Sequence, residues 1–237
     1  MSRPGALRRG IVAIDGPAGA GKSTLAQFLA RRFGLLTLET GAMYRAFALK
    51  ALRAGVPLDD PRALESLAAR TAIRLEQGCG ENRVLLDGED VTASLRSPEV
   101  TDAASQVSVF PPIRAWMVSL QQKLGAAGGV VMEGRDIGTV VFPDADVKIF
   151  LDAAPEVRGQ RRYKQIGPDR AEAGAQAETV VRDLKARDER DRNRADSPLK
   201  AAPDAILLDS THLSLDEVME RAGEIVAARL GEDSRSA

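Results

Sequence analysis

With 237 residues, 44% of them apolar, the chain is long enough to bury a real core in one large or two modest domains. Its 33 basic and 34 acidic side chains nearly cancel, which excludes a strong overall field drawing it onto nucleic acid or an anionic membrane, so any anion site must be local. A lone cysteine, Cys79, excludes an internal disulfide, and no apolar run nears the ~20 residues of a membrane span. The start MSRPGALRRG lacks the apolar stretch of a secretory signal, so a soluble cytoplasmic protein is expected. His212 is the single histidine; in its Ser-Thr-His-Leu turn it reads as a surface or cap residue and not as a catalytic base.

Residues 10–15 (GIVAID) are a short apolar run that stops at a glycine-rich turn, and 22–33 then carries helical periodicity through Leu25, Phe28 and Leu29. A second strand is predicted over 35–39, with helices over 41–53 and 61–70. The β-α-β-α order then breaks. Residues 72–77 and 82–92 alternate around GCGEN and DGED, which predicts a small inserted antiparallel meander. Helices follow over 97–107 and 111–124, each with a start signal, and buried-type strands over 129–134 and 147–152. Helices over 155–165 and 172–193, a strand over 205–210 and a helix over 215–230 complete the chain, with 171–178 and the tail GEDSRSA expected to be mobile. Apolar strands alternating with amphipathic helices imply an α/β fold, its parallel sheet covered by helices on both faces. Ligands in such folds sit at the carboxyl ends of the strands, hence just after Asp15, Glu39, Glu133 and Leu151.

Gly16-Pro17-Ala18-Gly19-Ala20-Gly21-Lys22-Ser23 fits G-x-x-x-x-G-K-[ST] and lies between a strand and a helix, the context such a phosphate loop requires. Its glycines let backbone N–H groups converge on phosphate oxygens, the helix amino end adds partial positive charge, and Lys22 reaches the β- and γ-phosphates. The hydroxyl of Ser23 is placed to ligate magnesium, although Thr24 offers another. An ordinary glycine turn would not need Lys-Ser at this spacing. The motif is silent on the acceptor. The lack of an Asn-Lys-x-Asp element argues against a GTPase, and a nucleic-acid motor would need more chain and a basic face, which leaves a small kinase.

Thr40-Gly41-Ala42-Met43-Tyr44-Arg45 follows the second strand, with Thr40 read as the helix cap and Arg45 one turn on. Glu-Gly-Arg-Asp at 133–136 brings an arginine and a carboxylate through a glycine to the ligand edge of the sheet. In RDERDRNR, residues 187–194, helical spacing puts Arg187, Asp191 and Arg194 on one face. Asp188 and Arg192 pair on another, where exposed pairs contribute only ~0.3–0.5 kcal/mol. Alone, such a stretch is a solvated helix. Arg158, Arg161 and Arg162 change its meaning, because phosphoryl transfer needs convergent guanidinium groups.

Taken together, IDGPAGAGKST, TGAMYR, LDGEDVT, ASQVS, EGRDIGTVVFPDADVKIFLDA, RDERDRNR and APDAILLDST resemble the bacterial cytidylate kinases over residues 11–230. The resemblance implies a P-loop nucleoside monophosphate kinase with a core over about 10–60 and 108–230, a monophosphate-binding insert over about 61–107 and a short lid over about 156–175. It implies ATP with Mg²⁺ on residues 16–24, and CMP or dCMP as acceptor. Ser105, Arg114 and Asp136 would then read cytosine, and Arg187 and Asp191 would hold the sugar. Arg45, Arg135 and Arg194 would grip the acceptor phosphate near Thr40, and Arg158, Arg161 and Arg162 would close on ATP. Lys22, Arg135, Arg158, Arg162 and Arg194 would form the catalytic set, while Asp15, Glu133 and Asp152 all remain open as the carboxylate near magnesium. A monomer without nucleic-acid or membrane partners is implied. The alternatives are a kinase of UMP or of a non-nucleotide acceptor, and a non-catalytic binding module controlled by ATP.

Overall fold

In a computed structural model, residues 10–76, 82–166 and 177–232 are described; Cys79 lies outside them, as do 171–176 and 233–237 of the stretches expected to be mobile at 171–178 and 231–237, whereas 177–178 and 231–232 are helical. The apolar run at the start becomes β1 (Ile11–Asp15), whose Val12, Ala13 and Ile14 are wholly buried. That burial follows from its central place in a five-stranded sheet. Across the sheet run β2 (Leu36–Glu39), β6 (Val130–Gly134), β1, β7 (Val147–Asp152) and β8 (Ile206–Asp209), each pair parallel. The register sets the site: Asp15 stands opposite Gly134, and Glu39 opposite Glu133. Three sequence-distant strand ends thus come level at one edge.

Crossover helices cover the sheet as parallel pairing demands. One face packs on α1 (Lys22–Phe33) and α8 (Leu215–Glu232) through Leu25, Leu29, Val218, Ala222 and Val226. The other face is closed by Ile137 and Val141 of a turn of helix over Ile137–Val141. A second apolar cluster joins α2 (Thr40–Arg53), α3 (Pro61–Ala68), α4 (Pro98–Val107) and α5 (Pro111–Gly125) to the meander. Within it Phe47 is wholly buried and meets the partly buried Trp116 edge to face, ring centroids 5.1 Å apart. The cluster takes in Ala42 to Ala51 of α2 as well as the segment at 61–107, so the insert does not have a core of its own. Among the described residues no helix is long and apolar enough to cross a membrane.

Local chemistry accounts for the element ends. Asp60 accepts from the N–H groups of Arg62 and Ala63 with Pro61 at the first helical position, and Ser97 caps α4 ahead of Pro98 in the same way. The meander is β3 (Ile73–Glu76), β4 (Arg83–Leu86) and β5 (Glu89–Asp90), antiparallel throughout. Asp87-Gly88 closes its two-residue hairpin with φ of 51° and 92°, the left-handed pair that an Asp-Gly turn supplies. Two expectations need correction. Thr40 does not cap α2: the cap position falls on Glu39, and the Thr40 hydroxyl instead donates to the Glu133 carbonyl at 2.8 Å, tying β2 to β6. The charged helix α7 (Ala177–Arg192) ends before Asn193, which puts Arg194 just past it, its Nε turned back to the Asp191 carbonyl at 3.2 Å.

Candidate active site

The chain leaves β1 through Gly16, whose φ of +147° and approach to the strand β7 backbone exclude a side chain: a Cβ there would lie 2.0 Å from the Leu151 carbonyl oxygen. Gly19 and Gly21 also adopt positive φ before α1 begins at Lys22. Lys22 Nζ donates to the Pro17 carbonyl at 2.8 Å and so lies folded across the loop. Burial, followed by repulsion from Arg135, lowers its pKa to about 7, with Glu133 opposing. Asp15, at the strand end, accepts from the N–H groups of Ile137 and Gly138 at 2.8 Å each. It thereby pins the turn bearing Arg135 and Asp136 to the strand that carries the loop. Burial pushes its pKa up to about 6, against those two amides.

Facing the loop is a concentration of guanidinium groups. Arg135 Nε donates to Asp191 Oδ2 at 2.8 Å, and Arg194 Nη2 lies 3.7 Å from Asp191 Oδ1, so one carboxylate spaces two arginines. Arg45 pairs with Glu39 at the end of β2. Arg187 has its pKa lowered to about 10, first by burial and then by Arg135, with Arg45 and Arg162 also repelling it. Lys22 in turn feels Arg135 and Arg187. Lys22, Arg45, Arg135, Arg162 and Arg187 therefore share one field. A cleft between α1, β2 and the meander, lined by Ser23, Glu39, Arg45, Arg96 and Glu133, opens beside them.

Deeper in, Arg114 is ion-paired with Asp136 and donates to the Ser108 carbonyl at 3.3 Å, with the Tyr44 ring 6.0 Å away. Of the eight buried side-chain polar atoms without a hydrogen-bond partner among the described residues, five are on this side, Arg45 Nε, Ser105 Oγ, Arg114 Nε, Arg187 Nε and Arg194 Nη2; the others are Thr139 Oγ1, Asp188 Oδ2 and Arg190 Nε. Buried donors are rarely left unmade. Here the five lie where a polar, anionic ligand would complete them.

The family model for cytidylate kinase matches residues 12–228. The chain belongs to that family. The cytidylate kinase of Solibacter usitatus is 51% identical over 94% of both chains, and that of Syntrophotalea carbinolica 45% identical over the same shares. The Desulfitobacterium hafniense cytidylate kinase is 49% identical over 89% of each chain.

Within this kinase the three arginines expected in a lid diverge. Arg161 donates to Ser210 Oγ at 2.9 Å and to its carbonyl at 2.8 Å, beside the loop carbonyl of Ala20. Arg162 lies near Arg45 and Arg96, and burial with their repulsion lowers its pKa. Arg158 is buried against the loop backbone and Asp188, and its Nε and Nη1 are both engaged by protein oxygens. Arg158 and Arg161, both on α6 (Pro155–Ile166), are thus bonded to protein oxygens, and residues 167–175 of the expected lid lie outside the described ones.

The carboxylates weighed for magnesium also separate. Asp15 is engaged by two amides, and Asp152 accepts from Ala153 N–H at 2.8 Å. Glu133 faces the Ser23 hydroxyl and is crowded by Glu39, which together with burial raises its pKa. Oxygen donors with excess negative charge fit a hard divalent cation.

Sequence reasoning missed Asp188, read as half of an exposed pair with Arg192; only 3% of it is exposed, and it meets Arg158 as an ion pair instead. Val180 and Leu184, eight and four positions earlier, are buried on the same helical stripe and were the available signal. His212 is exposed, as expected.

Proposed function

We propose that the protein transfers the γ-phosphoryl group of ATP to CMP or dCMP, giving ADP and the cytidine diphosphate. The observation that carries this is the set of partnerless buried donors on Arg45, Ser105, Arg114, Arg187 and Arg194, facing a phosphate loop across a shared positive field. ATP phosphates would lie along residues 16–24 with Lys22 released from Pro17 to meet them. The acceptor phosphate would lie among Arg45, Arg135 and Arg194, near Thr40. Its attacking oxygen is already ionised near neutral pH, so no general base is required: a new P–O bond forms to γ-phosphorus while the bond to the bridging oxygen breaks and its electron pair leaves on ADP. Catalysis is positioning plus neutralisation of charge. Magnesium bound with ATP would neutralise charge on the β- and γ-phosphates, and Ser23 and Glu133 are the residues that would hold it.

Specificity for cytosine follows from a carboxylate. Asp136, spaced by Arg114, would accept from the exocyclic amine of cytosine, where the carbonyl of uracil would meet like charge. Ser105 would complete the base edge, and Arg187 with Asp191 would hold the sugar. The unit would divide into core, an insert over about 61–107 and a lid over about 156–175, closing when both nucleotides are bound. An ADP-release assay across CMP, dCMP, UMP, AMP, shikimate and gluconate tests the proposal. Turnover fastest with CMP or dCMP is expected. Equal turnover with all acceptors would overturn base reading, and ATP binding without transfer to any acceptor would restore the binding-module alternative.

A further inference from the structure

Ala18 forms the apex of the phosphate loop, and both of its backbone hydrogen-bonding groups are held by side chains from outside the loop. Its N–H donates to Asp188 Oδ1 at 3.2 Å, and its carbonyl accepts from Arg158 Nη1 at 2.8 Å. The same Nη1 lies 2.6 Å from Asp188 Oδ2, and Arg158 Nε donates to the Ala153 carbonyl at 2.8 Å. Arg158 is 2% exposed and Asp188 3%. A buried ion pair contributes little net stability relative to an apolar pair of similar volume. Its placement around one peptide unit therefore needs another reason.

Packing fixes the same junction. The Ala18 methyl sits in a cluster with Val180 and Leu184 of α7 and Tyr163 of α6. A Cβ on Gly19 would come within 3.3 Å of the Arg158 carbonyl oxygen, and one on Gly159 within 2.2 Å of Val181. Loop, α6 and α7 thus meet at backbone distance. From α7, Asp188 points to the donor loop while its neighbours in the helix, Arg187 and Asp191, belong to the acceptor side, Asp191 pairing with Arg135.

We propose that Asp188 and Arg158 are positioning residues that set the Ala18 peptide of the phosphate loop, and so tie the ATP cradle to the helix that grips the acceptor. The inference rests on the assignment of ATP to the loop and CMP to the opposite face. It differs from a lid role for Arg158, in which the guanidinium touches phosphate directly. The two roles make opposite statements about Asp188. As a phosphate ligand, Arg158 would be freed by loss of the Asp188 charge and ATP would bind as well or better. As a positioning residue, it loses its partner and the loop loses its shape.

The test is calorimetric binding of ATP–Mg²⁺ and of CMP, each alone, to the full chain carrying Asp188→Asn and Asp188→Ala, with melting temperature and kcat measured alongside. The expected result is an ATP Kd raised about tenfold in the Asn variant and further in the Ala variant, the size of one charge-assisted hydrogen bond. CMP Kd should stay within about twofold of wild type, and kcat should fall with ATP affinity. An ATP Kd unchanged or lowered would overturn the proposal in favour of direct contact, and equal weakening of both nucleotides would reduce the pair to general stability. If Asp188→Ala does not fold, the Asn variant alone decides. Failure of the wild-type chain itself to bind ATP or CMP would count against the assignment of the sites, an outcome visible before any variant is made.

Discussion

The phosphate loop and the facing arginine cluster, the proposed donor and acceptor halves of the cleft, are built in different ways. In the donor loop the Lys22 ammonium is held on the Pro17 carbonyl, and both backbone groups of Ala18 are held by Asp188 and Arg158. On the acceptor side the arginines are spaced by Asp191, Asp136 and Glu39 yet retain partnerless donors, and burial followed by repulsion from Arg135 lowers the pKa of Arg187. On the proposed reading, the first half has its lysine and its Ala18 peptide held in place, and the second keeps open donors that its ligand would complete. Preorganised donors around developing charge are where phosphoryl transfer gains most, and unsatisfied buried donors discriminate sharply against ligands that cannot complete them.

The largest test strikes the donor half. Lys22→Ala should lower kcat on the order of 10²–10³-fold, the scale for losing one preorganised donor to transition-state charge, while CMP binding and the melting curve stay near wild type. Steady-state rates with calorimetry of CMP check it, and near-normal turnover would remove Lys22 from the mechanism. A smaller effect is expected at the acceptor base. Asp136→Asn keeps an oxygen for Arg114 but exchanges a charged acceptor for an amide that also donates, so the preference for CMP over UMP in kcat/KM should shrink roughly 10–100-fold. A preference that stays intact would place base reading elsewhere.

The same contrast explains what could be read without coordinates. The donor loop is contiguous, and Gly16 to Ser23 states its own geometry. The proposed acceptor site draws on β2, α2, α4, α5, the turn after β6 and α7, and spacing gave only a shared face of Arg187, Asp191 and Arg194, the last of which lies just past the helix. Thr40 turned out to serve the Glu133 carbonyl because the β2–β6 register sets them side by side, which no local pattern reveals. Asp188 was misread because its partner, Arg158, lies 30 positions away on α6 and meets it only where the two helices cross. Long-range pairing, not propensity, separated the legible from the hidden.

Asp15 offers a test of the joint between the halves through stability. Burial pushes its folded pKa to about 6 from an ordinary 3.8. The folded chain therefore holds a proton between those values that the unfolded chain has released, so this residue favours folding most below about pH 4 and loses that contribution as pH rises through about 6. Denaturant midpoints at pH 4.5 and 7 should fall more steeply with pH in wild type than in Asp15→Asn, by a total on the order of 2 kcal/mol. Parallel profiles for the two proteins would show that Asp15 ionises as an ordinary surface acid.

The smallest expected effect is the most direct check on the reading of α7. Arg192 is four positions from Asp188, and in the unfolded alphabet of helical spacing the two look like a pair. In the fold Asp188 faces the loop and Arg192 faces solvent. Arg192→Ala should therefore change stability by less than about 0.5 kcal/mol and leave ATP and CMP binding unaltered, in contrast to Asp188→Asn. The difference between two substitutions one helical turn apart isolates burial from sequence spacing, since the charge removed is of the same size. Comparable losses from both would mean that α7 is sensitive along its whole surface, and the division of that helix into a gripping face and a solvated face would not stand.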